Sequence, residues 1–111
     1  MSYEELFLRS LVLTLLVEVP IVFVLSKYVY KLINKWNVVF VAVLASALTL
    51  PYFWFVLPAY ISERTLYIIV GESVIILIEA FIFHRLLKLK IGQALLVSLI
   101  ANLASILVGL L

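Results

Sequence analysis

The chain has 111 residues, 68% of them hydrophobic and only 13% charged, with a formal net charge of +2. A soluble domain is closer to half apolar and a quarter charged, so the composition excludes a water-soluble fold and leaves lipid as the solvent; the length leaves room for one domain, 1–111. The absence of cysteine excludes disulfides, thiolate metal sites and cysteine nucleophiles.

The N-terminus, Met1-Ser2-Tyr3-Glu4-Glu5, is acidic, and no small-residue cleavage site follows the first apolar run. The first helix is therefore expected to stay and not to be removed as a signal peptide. Crossing the hydrocarbon core takes about 20 mostly apolar residues, and four segments qualify: about 6–32, 38–58, 66–87 and 91–111. They are long and continuous, with no period-two alternation, which predicts helices and not barrel strands. The expected fold is all-α, a polytopic membrane protein with four transmembrane helices.

The first segment has its apolar heart at 11–25 and carries Glu18 and Pro20. Proline has no N–H, so Pro20 leaves the Leu16 carbonyl without its helical donor. Lys27, Lys31 and Lys35 follow, with Asn34 and Asn37 marking a turn. In the second segment Pro51 does the same to Ala47, and Tyr52-Phe53-Trp54-Phe55 cover every side of the helix, so most of them are expected at the interface or against lipid. Pro58 and the Ser62-Glu63-Arg64 stretch close this segment, and the Ser62 hydroxyl is a candidate cap for the third helix. That helix carries Glu72 and Glu79 and ends at His84, Arg85, Lys88 and Lys90. His84 beside Arg85 reads as an interfacial residue. The fourth presents Ser98, Asn102 and Ser105 at i, i+4 and i+7, flanked by Ala94, Ala101 and Gly109. Small residues allow close helix approach, and the amide and hydroxyls can bond across an interface.

Orientation follows from the positive charges. Lys27, Lys31, Lys35, Arg85, Lys88 and Lys90 fall on one side, against Arg9 and Arg64 on the other. Both termini are therefore expected outside the cytoplasm, in a multi-pass protein of the cell membrane. Tyr28, Tyr30 and Trp36 then lie near the inner surface, and Tyr3, Tyr60 and Tyr67 near the outer one.

Three of the six acidic residues, Glu18, Glu72 and Glu79, lie inside expected spans. A charge at the bilayer centre costs about 2.5–3.5 kcal/mol on insertion scales, and no Lys or Arg lies at similar depth. Each acid must be protonated, bonded to neutral partners, bound to a cation, or paired with another subunit. Glu72 and Glu79 are two helical turns apart on one face. If the first and third helices face each other, the order inward is Glu72, Glu18, Glu79, with His84 near the exit, which is the layout of a proton or cation path. The alternative is that neutral carboxyls simply hydrogen-bond the bundle together. Freed carbonyls at Pro20 and Pro51 make good cation ligands, as broken helices do at transporter sites, although such kinks also serve packing. For Ser98, Asn102 and Ser105, packing is the leading role and ligand contact the second.

Soluble chemistry is excluded more firmly. There is no P-loop, dinucleotide fingerprint, His-x-x-x-His helix or nucleophile elbow. With one histidine, no cysteine and no aspartate, neither a catalytic triad nor a zinc site fits one chain. The expectation is no enzyme, no catalytic residue, no metal, no cofactor and no nucleic-acid partner.

Glu18-Val19-Pro20, Leu48-Thr49-Leu50-Pro51-Tyr52-Phe53-Trp54-Phe55, and the stretch holding Glu72, Glu79-Ala80, Arg85, Ala94, Ser98-Leu99, Ala101-Asn102-Leu103, Ser105 and Gly109-Leu110 carry a resemblance. Together they resemble small four-helix membrane proteins of bacteria and archaea that have no assigned activity. In those relatives a histidine often precedes the second-helix proline, where this chain has Leu50. In size and layout the chain is also similar to small multidrug resistance transporters, whose first helix holds a membrane-embedded glutamate where this chain has Glu18. It departs from them in its third-helix acids and lacks their glycine-spaced dimer motif in helix four.

The first functional expectation is proton- or cation-linked transport using Glu18, Glu72 and Glu79. The alternative is a non-transporting scaffold or accessory subunit whose acids meet a membrane partner. Four short helices enclose little volume, so a homo-oligomer or a partner subunit is expected beside the lipid bilayer itself. Because the chain has no cysteine of its own, single cysteines at Ser2 and Asn34 test the orientation with an impermeant thiol reagent on intact cells. Ser2→Cys is expected to label and Asn34→Cys to stay protected; the reverse pattern overturns the topology.

Overall fold

A computed structural model describes residues 2–29 and 35–109, and no strand occurs among them. Tyr30, Lys31, Leu32, Asn34, Leu110 and Leu111, which the sequence placed at helix ends and in the first turn, lie outside the described residues. Helix α1 covers Tyr3–Val24 and continues into a π-helical turn, Leu25–Val29. It begins three residues before the expected apolar boundary because its start is polar. The Ser2 hydroxyl accepts from the Glu5 N–H at 3.2 Å, and Glu4 and Glu5 stand in the positively polarised first turn.

Helix α2 covers Lys35–Pro51, then passes into a π-helical segment, Tyr52–Val56, and a 3-10 turn, Leu57–Ala59. Helix α3 covers Arg64–Leu86. Its cap is Glu63 and not Ser62: the Glu63 carboxylate accepts from Thr65 N at 3.2 Å and Leu66 N at 2.6 Å. Two acceptor oxygens and a full negative charge suit a helix N-terminus better than one hydroxyl. At the other end of α3, Lys88 adopts the left-handed conformation, φ 58°, which turns the chain toward α4, Ile91–Gly109. His84 Nδ1 meets the Leu89 carbonyl at 2.6 Å and pins that turn.

The four helices form a ring in chain order, each packed on the next, with α4 returning to α1. Helices α1 and α3 therefore face each other diagonally. All four are long and apolar enough to cross a membrane, over Tyr3–Lys27, Trp36–Ala59, Arg64–Leu86 and Ile91–Val108. The molecule is 41 Å long, close to the 40–45 Å of a bilayer with its headgroups. Large apolar side chains cover its outside, among them Leu16, Phe40, Ile69, Leu77, Phe81 and Leu107. That inverts the surface of a water-soluble protein.

The two ends of the bundle differ. One end, here the basic end, carries Lys27, Arg85, Lys88 and Lys90; the other, the terminal end, carries Ser2 and the α2–α3 turn. The apolar core lies in the basic half: Val22, Val38, Val41, Ala42, Ala45, Ala80, Phe83, Ala94, Val97 and Ala101 pack there with almost no exposure. Alanines dominate the contact, so the helices approach closely. Phe83 is its one large ring, 1% exposed, whereas Phe81 on the same helix is 63% exposed. Phe83→Ala is expected to cost about 3–5 kcal/mol in detergent unfolding, and Phe81→Ala far less. Equal losses would show that the basic half is not the core.

Candidate functional site

Where the basic half is dry, the terminal half is hollow. A cavity of about 380 Å³ lies between the four helices, and all of them line it. Its α3 wall is one helical stripe, Arg64, Ile68, Glu72, Ile75 and Glu79, spaced by three and four residues. At 1.5 Å per residue the stripe runs about 22 Å. It starts at the exposed Arg64 of the terminal end and stops at Glu79, which is 1% exposed. From α1 come Ser10, Thr14 and Glu18, from α2 Ser46, Thr49, Phe53 and Trp54, and from α4 Asn102 and Ser105.

The floor is a connected polar cluster. Ser46 Oγ donates to Glu18 Oε2 at 2.9 Å, which joins α2 to α1. One turn along α2, Thr49 Oγ1 lies 3.3 Å from Glu79 Oε2 and 2.9 Å from the Ala45 carbonyl. Asn102 Nδ2 donates to Glu79 Oε1 at 2.6 Å and to the Ser98 carbonyl at 2.8 Å. Ser98 Oγ in turn donates to the Ile76 carbonyl at 2.7 Å, tying α4 to α3. Glu18, Glu79, Ser46, Thr49, Ser98 and Asn102 are all buried. Because Ser46 and Thr49 lie on adjacent turns, Glu18 and Glu79 sit at one level, not in file. Glu72 stands about 10 Å nearer the mouth, half-buried on the wall, with no hydrogen-bond partner among the described residues.

The structure thus brings Glu18, Glu72, Glu79, Asn102 and Ser105 to one cavity, with Ser98 directly behind its floor. It does not bring the prolines there. Pro20 and Leu16 are both exposed, Leu16 by 68%, so the interrupted hydrogen bond lies on the outward face, away from Glu18. Ala47, the partner that Pro51 lost, is likewise exposed. His84 closes the α3–α4 turn, and the apolar core separates it from the cavity. Glu18 and Glu79 share the floor and Glu72 stands apart toward the mouth; among the described residues no three His, Cys, Asp or Glu groups converge on a metal position.

Sequence reasoning missed Ser46, Thr49 and Arg64. The signal was present: Val38, Val41, Ala42, Ala45, Ser46 and Thr49 recur at helical spacing and are buried together, with the two hydroxyls at its polar end. No protein-family model, no curated protein and no solved structure matches the chain.

Asn102→Leu removes the donor to Glu79 while keeping side-chain bulk. It is expected to cost about 0.6–2 kcal/mol of helix–helix stability, read from unfolding in detergent, whereas Ser105→Ala, which loses no hydrogen bond, leaves the transition in place. An unchanged transition for Asn102→Leu would show that the Glu79 contact is incidental.

Proposed function

We propose that the chain crosses a bilayer four times, with its terminal end outside the cytoplasm, and moves protons or cations through its glutamate-lined cavity. The observation that carries this reading is the placement of all three intramembrane glutamates on one cavity confined to one half of the bundle. Intramembrane acids are expensive and usually mark ion or proton pathways. Acids that only glued helices together would be fully bonded and would have no need of a hollow. Glu72 has neither property: it faces the cavity and lacks a bonded neighbour among the described residues.

The placement of basic residues supports the orientation. Lys27, Arg85, Lys88 and Lys90 gather at the end opposite the cavity, so by the positive-inside rule the cavity opens outward. Its floor has few donors for two carboxyls. Ser46 offers one proton, Thr49 divides one between a carbonyl and Glu79, and Asn102 offers its amide. A proton or a cation held at this level completes the set. Onward passage requires the basic half to open.

Purified protein in vesicles tests the reading through proton or cation flux driven by an imposed gradient. Wild type is expected to conduct. Glu79→Gln and Glu18→Gln are expected to bring flux to background, since Gln keeps size and hydrogen bonding but cannot exchange a proton. Glu72→Gln is expected to slow flux without abolishing it. Full flux in all three variants, singly and combined, would remove the proposal. Absence of flux in wild type, with the variants losing assembly with a membrane partner, would put the scaffold reading in its place.

A further inference from the structure

The second helix changes character where it borders the cavity mouth. We infer that its terminal segment, Tyr52–Ala59, is a movable wall that gates the outward-opening cavity, latched in its present position by the hydroxyls of Tyr3 and Tyr67; this inference rests on the reading of the cavity as a path.

The argument begins with two prolines. Pro51 ends the α-helical part of α2, and Pro58 stands seven residues later. Pro58 has no N–H, so the Trp54 carbonyl, four residues before it, loses its α-helical donor. The Phe53 carbonyl loses its own for a related reason: the Leu57 N–H bonds to the Tyr52 carbonyl in π-helical register, and the donor that register would give Phe53 is again residue 58. Two neighbouring carbonyls are therefore left without helical donors near the terminal end, one at an exposed and one at a part-buried contact, and each needs another donor.

Each is met from a different helix. Tyr3 Oη of α1 donates to the Trp54 carbonyl at 2.5 Å, and Tyr67 Oη of α3 donates to the Phe53 carbonyl. The rings reinforce both contacts. Tyr3 lies edge-on to Trp54 and Phe55 at 5.2 and 5.6 Å, and Tyr67 is tilted against Phe53 at 4.6 Å. Phe53 and Trp54 line the cavity, whereas Tyr52 and Phe55 are partly exposed, at 42% and 46%. Phe53 also sits over Gly71, where any side chain would collide with its ring and with Leu57. The segment thus has weakened backbone continuity, side chains on the cavity wall, and two removable outside bonds. Short π-helical segments in α-helices often mark functional positions. Release of the tyrosines frees the segment to swing on Pro51, with the α-helical part below it unchanged.

Thiol accessibility tests this without reference to flux. A single Ser105→Cys on the cavity wall reports entry of a charged, impermeant thiol reagent, and a single Ala94→Cys in the dry core reports general loosening. In the Tyr3→Phe/Tyr67→Phe background, which keeps the rings and removes only the hydroxyls, Cys at 105 is expected to react several-fold faster while Cys at 94 stays unreactive. Gly71→Ala, which displaces Phe53, is expected to act in the same direction. Unchanged reactivity at 105 in both backgrounds overturns the gate. So does parallel acceleration at 94, because the hydroxyls would then hold the fold and not the mouth. Faster entry in a protein without flux would sustain the gate and defeat the transport proposal.

Discussion

The hydrogen bond from Asn102 to Glu79 joins α3 to α4 at the depth where the bundle changes from dry to hollow. A carboxyl in an apolar interior is tolerated only when donors meet it, and this requirement fixes more than one contact. It turns the Ser98–Asn102 edge of α4 inward, and Ser98 then reaches the α3 backbone at Ile76. It likewise turns the Ser46–Thr49 edge of α2 inward, which supplies Glu18 as well as Glu79. All four helices are thus set in rotation by one pair of acids and their donors. The faces that remain are largely apolar and point outward, with Arg9 and Ser73 as exposed polar exceptions.

Packing above and below this level follows from side-chain size. In the basic half, Ala42, Ala45, Ala80, Ala94 and Ala101 face one another and let the helices close without a void. In the terminal half, α2 no longer continues as a regular α-helix beyond Pro51, and its π-helical turn carries bulky aromatics. Helices that are held together at the floor and kept apart by Phe53 and Trp54 near the mouth enclose a space. The cavity is a consequence of where the alanines stop and where α2 breaks. Gly71 is the compensating feature, since only a residue without Cβ admits the Phe53 ring so close to α3.

Much of this arrangement was legible in the residues. Four apolar runs of membrane length correspond to four helices. Polar caps extend α1 and α3 at their starts, as Ser2 and Glu63 show, whereas α2 starts at Lys35, three residues before the expected 38, and leaves α-helical form after Pro51. The three buried-region acids stood out because their type conflicts with their surroundings. Their partners were harder to see. Serine and threonine are common in apolar helices for reasons of size alone, and only the place of α2 between α1 and α3 in the ring assigns Ser46 to Glu18 and Thr49 to Glu79. The prolines illustrate the opposite error. Their spacing beside Glu18 and near Glu72 in depth drew attention to the carbonyls that Pro20 and Pro51 free, yet helical rotation puts both on the outside. Distance along a sequence fixes depth in a helix, whereas the face depends on residues several turns away.

The tyrosines show the same dependence from another side. Tyr3 and Tyr67 fit an aromatic belt by position, and Tyr60, 80% exposed, is free to serve as one. What separates the two from the third is a backbone need created elsewhere, by Pro58. A chain with so few polar side chains has few donors for such carbonyls, and a phenol is the only one that combines an apolar body with a hydroxyl at its tip. Two sets of polar contacts stand out: hydroxyls and an amide that serve carboxyls at the floor, and phenols that serve backbone at the terminal end. Apart from both, Ser98 Oγ bonds the α3 backbone at Ile76, and Ser26 Oγ is buried in the basic half without a partner among the described residues. The first set is buried and acts between side chains of adjacent helices. The second lies nearer the surface, on a segment whose own helical bonds are incomplete. A structure that has to change shape at one end while keeping its floor intact would distribute its hydrogen bonds in this way, with the bonds that can exchange for water placed where water is within reach.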